Sequence, residues 1–191
     1  FSIVNLQFSN IMNTDIKILF IGDIVGRPGR RAVRLILPEI VKEEGINIVL
    51  ANGENLASGK GMTLKKYEEM IRAGVDYFSS GNHIWNNKDI VSFLDDQNIK
   101  ILRPENYPNT ASGRGIADIG ENIVLVNLQG RGFMKDEVAD PFTVAKNIAR
   151  EYRNKIIIID FHAEATSEKM ALAYYLDGEV CAVLGTHTHV Q

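Results

Sequence analysis

Leu184-Gly185-Thr186-His187-Thr188-His189 closes an apolar, strand-like run with two histidines set two positions apart. On an extended backbone, residues i and i+2 project to the same side, so both imidazoles can reach one point in space, which is a ligand arrangement. The chain holds four histidines. The other two, His83 and His162, also follow apolar runs and stand among Asp, Glu and Asn. A metal site is therefore the first expectation. The recurring context, a polar cluster directly after a strand-like run, then organises the reading of everything upstream.

Read backwards and forwards from that stretch, the chain alternates short β-rich runs with helical patterns, the signature of βα units on a largely parallel sheet or a layered relative of it. Strands are expected at 16–21, 46–51, 75–79, 99–102, 123–128 and 156–160. The helix after the first strand shows Val33, Ile36, Leu37, Ile40 and Val41 at the spacing of one buried face, with Gly45 as its stop. Pro38 inside it predicts a kink or a late start. Thr63 caps a second helix that Gly74 ends. A short helix is expected near 88–95, and Asp140 before Pro141 starts one that reaches about Tyr152. The last helix is expected at 167–176. Asp23, Glu54 with Asn55, Asn82 with His83, His162, and His187 with His189 each follow the C-terminal end of an expected strand. In open α/β sheets that edge is where ligands bind.

Composition narrows the partners. In 191 residues, 45% are hydrophobic and 24% charged, which is ordinary globular usage and fits one domain. A net charge of -3 gives no basic footprint, so tight non-specific binding to duplex nucleic acid or an anionic membrane is disfavoured, while a small nucleotide or a short RNA strand stays open. No apolar run approaches the roughly 20 residues that span a bilayer. The single cysteine, Cys181, lies in an apolar run and is expected to be buried and inert. With no disulfide framework, a cytoplasmic location is expected. Residues 1–13 read as an N-terminal extension before a natural start at Met12, and residues 14–191 as the functional domain.

The candidate set holds carboxylates, side-chain amides and imidazoles with no thiolate, a mixture that suits iron, manganese or zinc better than calcium or a structural zinc-thiolate site. Its donors exceed the four of one tetrahedral ion, so two metals sharing a carboxylate is the economical arrangement. Such pairs sit about 3.5–4 Å apart and activate a hydroxide toward an ester phosphorus. Phosphoester hydrolysis is the chemistry this predicts.

The ordered blocks Gly22-Asp23, Asn52 to Asn55, Gly81 to His83, His162 and Gly185 to His189 resemble those of the calcineurin-like metallophosphoesterases. Where that family usually has Asp-x-His first, this chain has Asp23-Ile24-Val25. Where it usually supplies a second aspartate, this chain has Glu54 beside Asn55. With Gly59-Lys60-Gly61 and the run from Asp160 to Lys169, these departures are similar to the YmdB-type subfamily. The resemblance covers residues 16–191. It implies an α/β layered β-sandwich flanked by helices, with the metal site at the C-terminal strand ends, and a domain truncated at its C-terminus, since members continue with further strands.

The resemblance further implies hydrolysis of 2′,3′-cyclic nucleotides or related phosphodiesters. Asp23, Glu54, Asn55 and His189 would surround one metal, and Glu54, Asn82, His162 and His187 the other, with Glu54 bridging. Asn55 would take the place of the missing first-block histidine, and His83 would stay free of metal as the catalytic proton donor. Two ions, iron or manganese with zinc as the alternative, are the expected cofactors. Other readings compete: a phosphomonoesterase or nucleotidase, or a regulatory metalloprotein binding nucleotide or RNA with little turnover. A homo-oligomer is open. Arg131, between two glycines, is a candidate substrate contact, whereas Arg27, Arg30, Arg31 and Arg34 read as a solvated helix face. Trp85 reads as core packing.

Overall fold

The structure, a computed structural model, describes residues 3–9 and 15–190, with side chains from residue 16 onward. The expected start at Met12 lies outside the described residues. The chain divides into two compact units, one holding residues 1–78, 83–93 and 189–191, the other 79–82 and 94–188.

The first unit is built on a four-stranded sheet in the order β1-β2-β3-β4, with β1 at Ile3–Ser9, β2 at Asp15–Ile21, β3 at Ile48–Asn52 and β4 at Tyr77–Ser79. β2 and β3 are parallel, in register from Ile18↔Ile48 to Ile21↔Ala51. β1, which falls within the stretch read as an N-terminal extension, pairs antiparallel with β2 from Ile3↔Ile21 to Ser9↔Asp15. The sequence of these seven residues does not say which strand, if any, they join.

Helix α1, Gly26–Glu44, runs through Pro38 without interruption, which overturns the expected late start. Pro38 is exposed, and its missing N–H removes one bond from the ladder where water can serve the freed carbonyl. Of the face expected to be buried, Val33 and Leu37 are, Ile40 and Val41 are half-buried, and Ile36 is 49% exposed. Gly45 caps the helix at φ 64°, its N–H donating to Val41 O. Helix α2, Leu64–Arg72, is capped by Thr63, as its sequence signals. A 3₁₀ helix, Asn82–Asn86, and the short α3, Lys88–Val91, follow β4. Trp85 is half-buried.

The second unit carries the sheet β5-β6-β7-β8, with β5 at Ile116–Gly120, β6 at Ile123–Gln129, β7 at Ile156–Ala163 and β8 at Ala182–His187. β6, β7 and β8 are parallel and β5 is antiparallel to β6. Helices α4, Pro141–Glu151, and α5, Thr166–Tyr175, cover one face. Val124, Val126, Ile157, Ile159 and Phe161 meet Ala145, Ile148 and Leu172 there. Each large apolar side chain of this group contributes roughly 1.5–3 kcal/mol on burial. By the strand's alternation, Ile158, Asp160 and His162 point away from those helices, and all three are fully buried.

Two expectations fail in this unit. Residues 99–102 form no strand; Leu102 makes a single parallel bridge to Arg114, and Pro104, which lacks an N–H, follows closely. Cys181 is exposed, because it sits just before β8, whose one neighbour among the described strands is β7.

Candidate metal centre

Within the first unit, the turns after β2 and β3 are fastened to each other. Ile24 N–H donates to Asn52 O at 3.0 Å, and Gly26 N–H donates to Asn55 O at 2.9 Å. Asn52 also accepts the Glu54 N–H through Oδ1 at 3.1 Å, an Asx turn that shapes the chain where its acid emerges. Glu54 and Asn55 are buried, as is the Asp23 carboxylate at 2% side-chain exposure. An ordinary turn residue stays in water; a carboxylate enclosed in this way needs compensating partners.

Glu54, Asn55 and His83 form one hydrogen-bonded group. Asn55 Nδ2 donates to Glu54 Oε1 at 3.1 Å, and His83 N–H donates to Glu54 Oε2 at 3.2 Å. His83 Nδ1 lies 3.0 Å from Asn55 Oδ1 and 3.5 Å from Glu54 Oε1. Both neighbours are acceptors, so Nδ1 carries the proton, and Nε2 is left as the ring atom able to take or give one. Gly61, at φ 71°, allows the loop after Asn55 to pass close by, since a Cβ there would come within 3.0 Å of His83 O. His189 Nε2 stands 3.3 Å from Asp23 Oδ2.

Arg30 is the exception to the solvated basic face. Its Nε donates to Glu69 at 3.0 Å and its Nη1 to Leu56 O at 2.5 Å, tying α1 and α2 to the loop that carries Glu54 and Asn55. Arg27, Arg31 and Arg34 are exposed, as expected.

Within the second unit, His162 Nε2 and His187 Nδ1 face each other at 3.0 Å, with ring centroids 4.7 Å apart. The far side of His187 meets Glu164, Nε2 to Oε2 at 2.9 Å. Glu164 can only accept from His187 when ionised, so Nε2 bears the proton and Nδ1 presents a lone pair toward His162. Asn82 Oδ1 is buried and has no hydrogen-bond partner among the described residues. A buried amide oxygen lacking a donor, and paired imidazole nitrogens turned toward each other, are what a cation would satisfy. The donors are nitrogen and oxygen throughout, so the residues fit a divalent transition ion.

The backbone reading of the closing stretch needs correction. His187 has φ 90° and His189 has φ 56°, both in the positive range, so the two imidazoles are not displayed by simple strand alternation. They go to separate partners, His187 to His162 and Glu164, His189 to Asp23. Arg131 has its backbone N–H held by Glu168 at 2.9 Å and is itself exposed.

Sequence reading assigned no role to Glu164, Thr186 or Asp160, all of which touch this cluster. Thr186 lies directly opposite His162, a pairing set by the β7–β8 register and not marked in the sequence.

The family model for YmdB-like proteins matches residues 19–191. The chain belongs to the YmdB-like family. The 2′,3′-cyclic-nucleotide 2′-phosphodiesterase of Bacillus subtilis is 46% identical over 180 residues, covering 92% of this chain and 67% of that protein. A solved phosphatase from Mycoplasma pneumoniae matches with a TM-score of 0.85 at 34% identity, over 92% of this chain and 65% of that one. A solved hypothetical protein from Thermus thermophilus matches with a TM-score of 0.83 at 45% identity, over 91% and 68%. This chain thus spans about two thirds of the length of each. YmdB-like proteins share the calcineurin-like metallophosphoesterase fold, a mixed α/β architecture with two sheets and helices, and the family is one of phosphoric ester hydrolases. No helix among the described residues is long and apolar enough to cross a membrane.

Proposed function

We propose that this chain is a metal-dependent phosphodiesterase that opens 2′,3′-cyclic nucleotides or related small phosphodiesters. The observation that carries the reading is the facing His162–His187 pair, held at 3.0 Å with the outer nitrogen of His187 committed to Glu164. That arrangement leaves a cation as the natural partner. The substrate class follows from the name and 46% identity of the Bacillus subtilis relative.

Asp23, Glu54, Asn55, Asn82, His162, His187 and His189 would hold two ions, iron or manganese with zinc as the alternative, and Glu54 would serve as the carboxylate common to both. When bound, the ions supply an activated water and neutralise charge on the phosphoryl oxygens. The rest falls to the protein. His83, its Nδ1–H held by Asn55, presents Nε2 to the leaving oxygen; with Nε2 also protonated, the ring gives that proton to the leaving oxygen as the ester bond breaks and regains one from water afterwards. Breaking the bond to the 2′ oxygen leaves the phosphate on the 3′ oxygen, the outcome named for the relative. Arg131, displayed on its Glu168-held turn, pairs with the substrate phosphate.

The test is hydrolysis of 2′,3′-cyclic AMP by manganese- or iron-loaded protein, beside Glu54→Ala, with metal content counted and the product separated by chromatography. Turnover to the 3′ phosphate by the wild type, with both metal and activity lost in Glu54→Ala, supports the reading. Two metals bound with no turnover of any phosphodiester would sink it in favour of a monoesterase or a regulatory protein.

A further inference from the structure

The outer nitrogen of His162 is committed as firmly as that of His187, but through an intermediary. Thr186, opposite His162 in the β7–β8 register, places Oγ1 at 3.0 Å from His162 Nδ1. The same Oγ1 lies 2.7 Å from Asp160 Oδ1. Asp160 precedes His162 by two positions on β7, so both side chains leave the same face, and Asp160, His162 and Thr186 are all buried.

A hydroxyl has one hydrogen to give. Asp160 as a carboxylate can only accept, and 2.7 Å is the distance of a hydroxyl donating to one. Thr186 therefore spends its hydrogen on Asp160 and turns a lone pair to His162. His162 Nδ1 must then be the protonated nitrogen, and Nε2 the basic one. We infer that Thr186, oriented by Asp160, is a positioning residue that locks His162 in the Nδ1–H form and so aims an unprotonated Nε2 at the bound ion. Glu164 does the same for the other imidazole directly, and the two imidazoles thereby present basic nitrogens of opposite kinds, Nε2 and Nδ1, toward each other. Partners of this sort set both the tautomer and the ring orientation of a ligating histidine, and their loss commonly weakens metal affinity about 10–100-fold.

The metal half of this inference rests on the function proposed above; the tautomer half does not. Histidine labelled with ¹⁵N gives long-range proton–nitrogen spectra that tell the two ring forms apart. In metal-free protein above the imidazole titration range, His162 is expected as Nδ1–H in the wild type and in Thr186→Ser, which keeps the hydroxyl. In Thr186→Val, which keeps the shape, that preference is expected to fade. Manganese titration calorimetry should show affinity reduced about 10–100-fold in Thr186→Val and restored in Thr186→Ser, with thermal melts confirming that both variants are folded. A wild-type Nε2–H form, or a Thr186→Val variant unchanged in both tautomer and affinity, overturns the inference. The expected tautomers with no manganese bound to any variant would instead leave the Thr186 lock standing and bring down the metal reading.

Discussion

Glu168 reaches from the first turn of α5 to the backbone of Arg131, accepting its N–H through Oε1 at 2.9 Å. Its second oxygen accepts from Gly132 at 3.0 Å, and Gly130 N–H donates to His162 O at 2.9 Å. One carboxylate thus fixes a turn that begins beside a proposed ligand and ends in the exposed Phe133. In Glu168→Ala the turn loses both acceptors, at a cost on the order of 1 kcal/mol in urea denaturation. If Arg131 contacts the phosphate, the KM for 2′,3′-cyclic AMP rises more than kcat falls, and steady-state rates measure the split.

His83→Ala should keep its full complement of metal and lose about 10²–10⁴-fold in kcat. Metal counting beside initial rates checks both halves. A variant that sheds metal would move His83 from proton donor to ligand.

Arg30 should matter far more than the arginines around it. Arg30→Met keeps the apolar stem but leaves Leu56 O without its donor, which is expected to cost about 1–3 kcal/mol. Arg34, 53% exposed and 3.4 Å from Glu69, should change stability by less than about 1 kcal/mol when replaced by Ala. Urea midpoints of the two variants give the comparison.

Asp140 caps α4, and its pKa is lowered first by the Thr143 hydroxyl bond and then by the N–H groups of Phe142 and Thr143. A carboxyl depressed on folding stabilises fully above its unfolded value of 3.8 and loses that contribution as pH falls through the lower, folded value. Asp140→Asn should keep the cap at neutral pH and remove this share of the acid sensitivity. Asp140→Ala should cost about 1 kcal/mol at neutral pH. Thermal melts across the acid range distinguish them.

Much of this was legible in the sequence because strands in parallel sheets are apolar runs that end at polar clusters. Asp23, Glu54, Asn55, His83 and His162 could each be placed just beyond or at the end of such a run, and the structure puts them there. Period-2 alternation, however, announces a strand without naming its neighbour. The antiparallel β1 and β5 were therefore invisible, and the apolar run at Cys181 looked interior although it leads into a strand with one neighbour among the described strands. Residues 99–102, apolar but for Lys100, looked like a strand because burial and pairing leave the same signature; Ile99, Ile101 and Leu102 are buried, yet the segment makes isolated bridges and no ladder. Thr186 and Asp160 escaped notice because a hydroxyl relay depends on cross-strand register, which only the fold supplies.

The positive φ angles at His187 and His189 set stability against use. A side chain with a Cβ loses roughly 1–2 kcal/mol in that region, a strain that glycine avoids. Glycine at either position would relax the chain while deleting the imidazole, so His189→Gly is expected to melt no lower than the wild type and yet to bind metal worse. With these imidazoles as the proposed metal ligands, a screen for thermal tolerance alone would favour variants that bind metal worse.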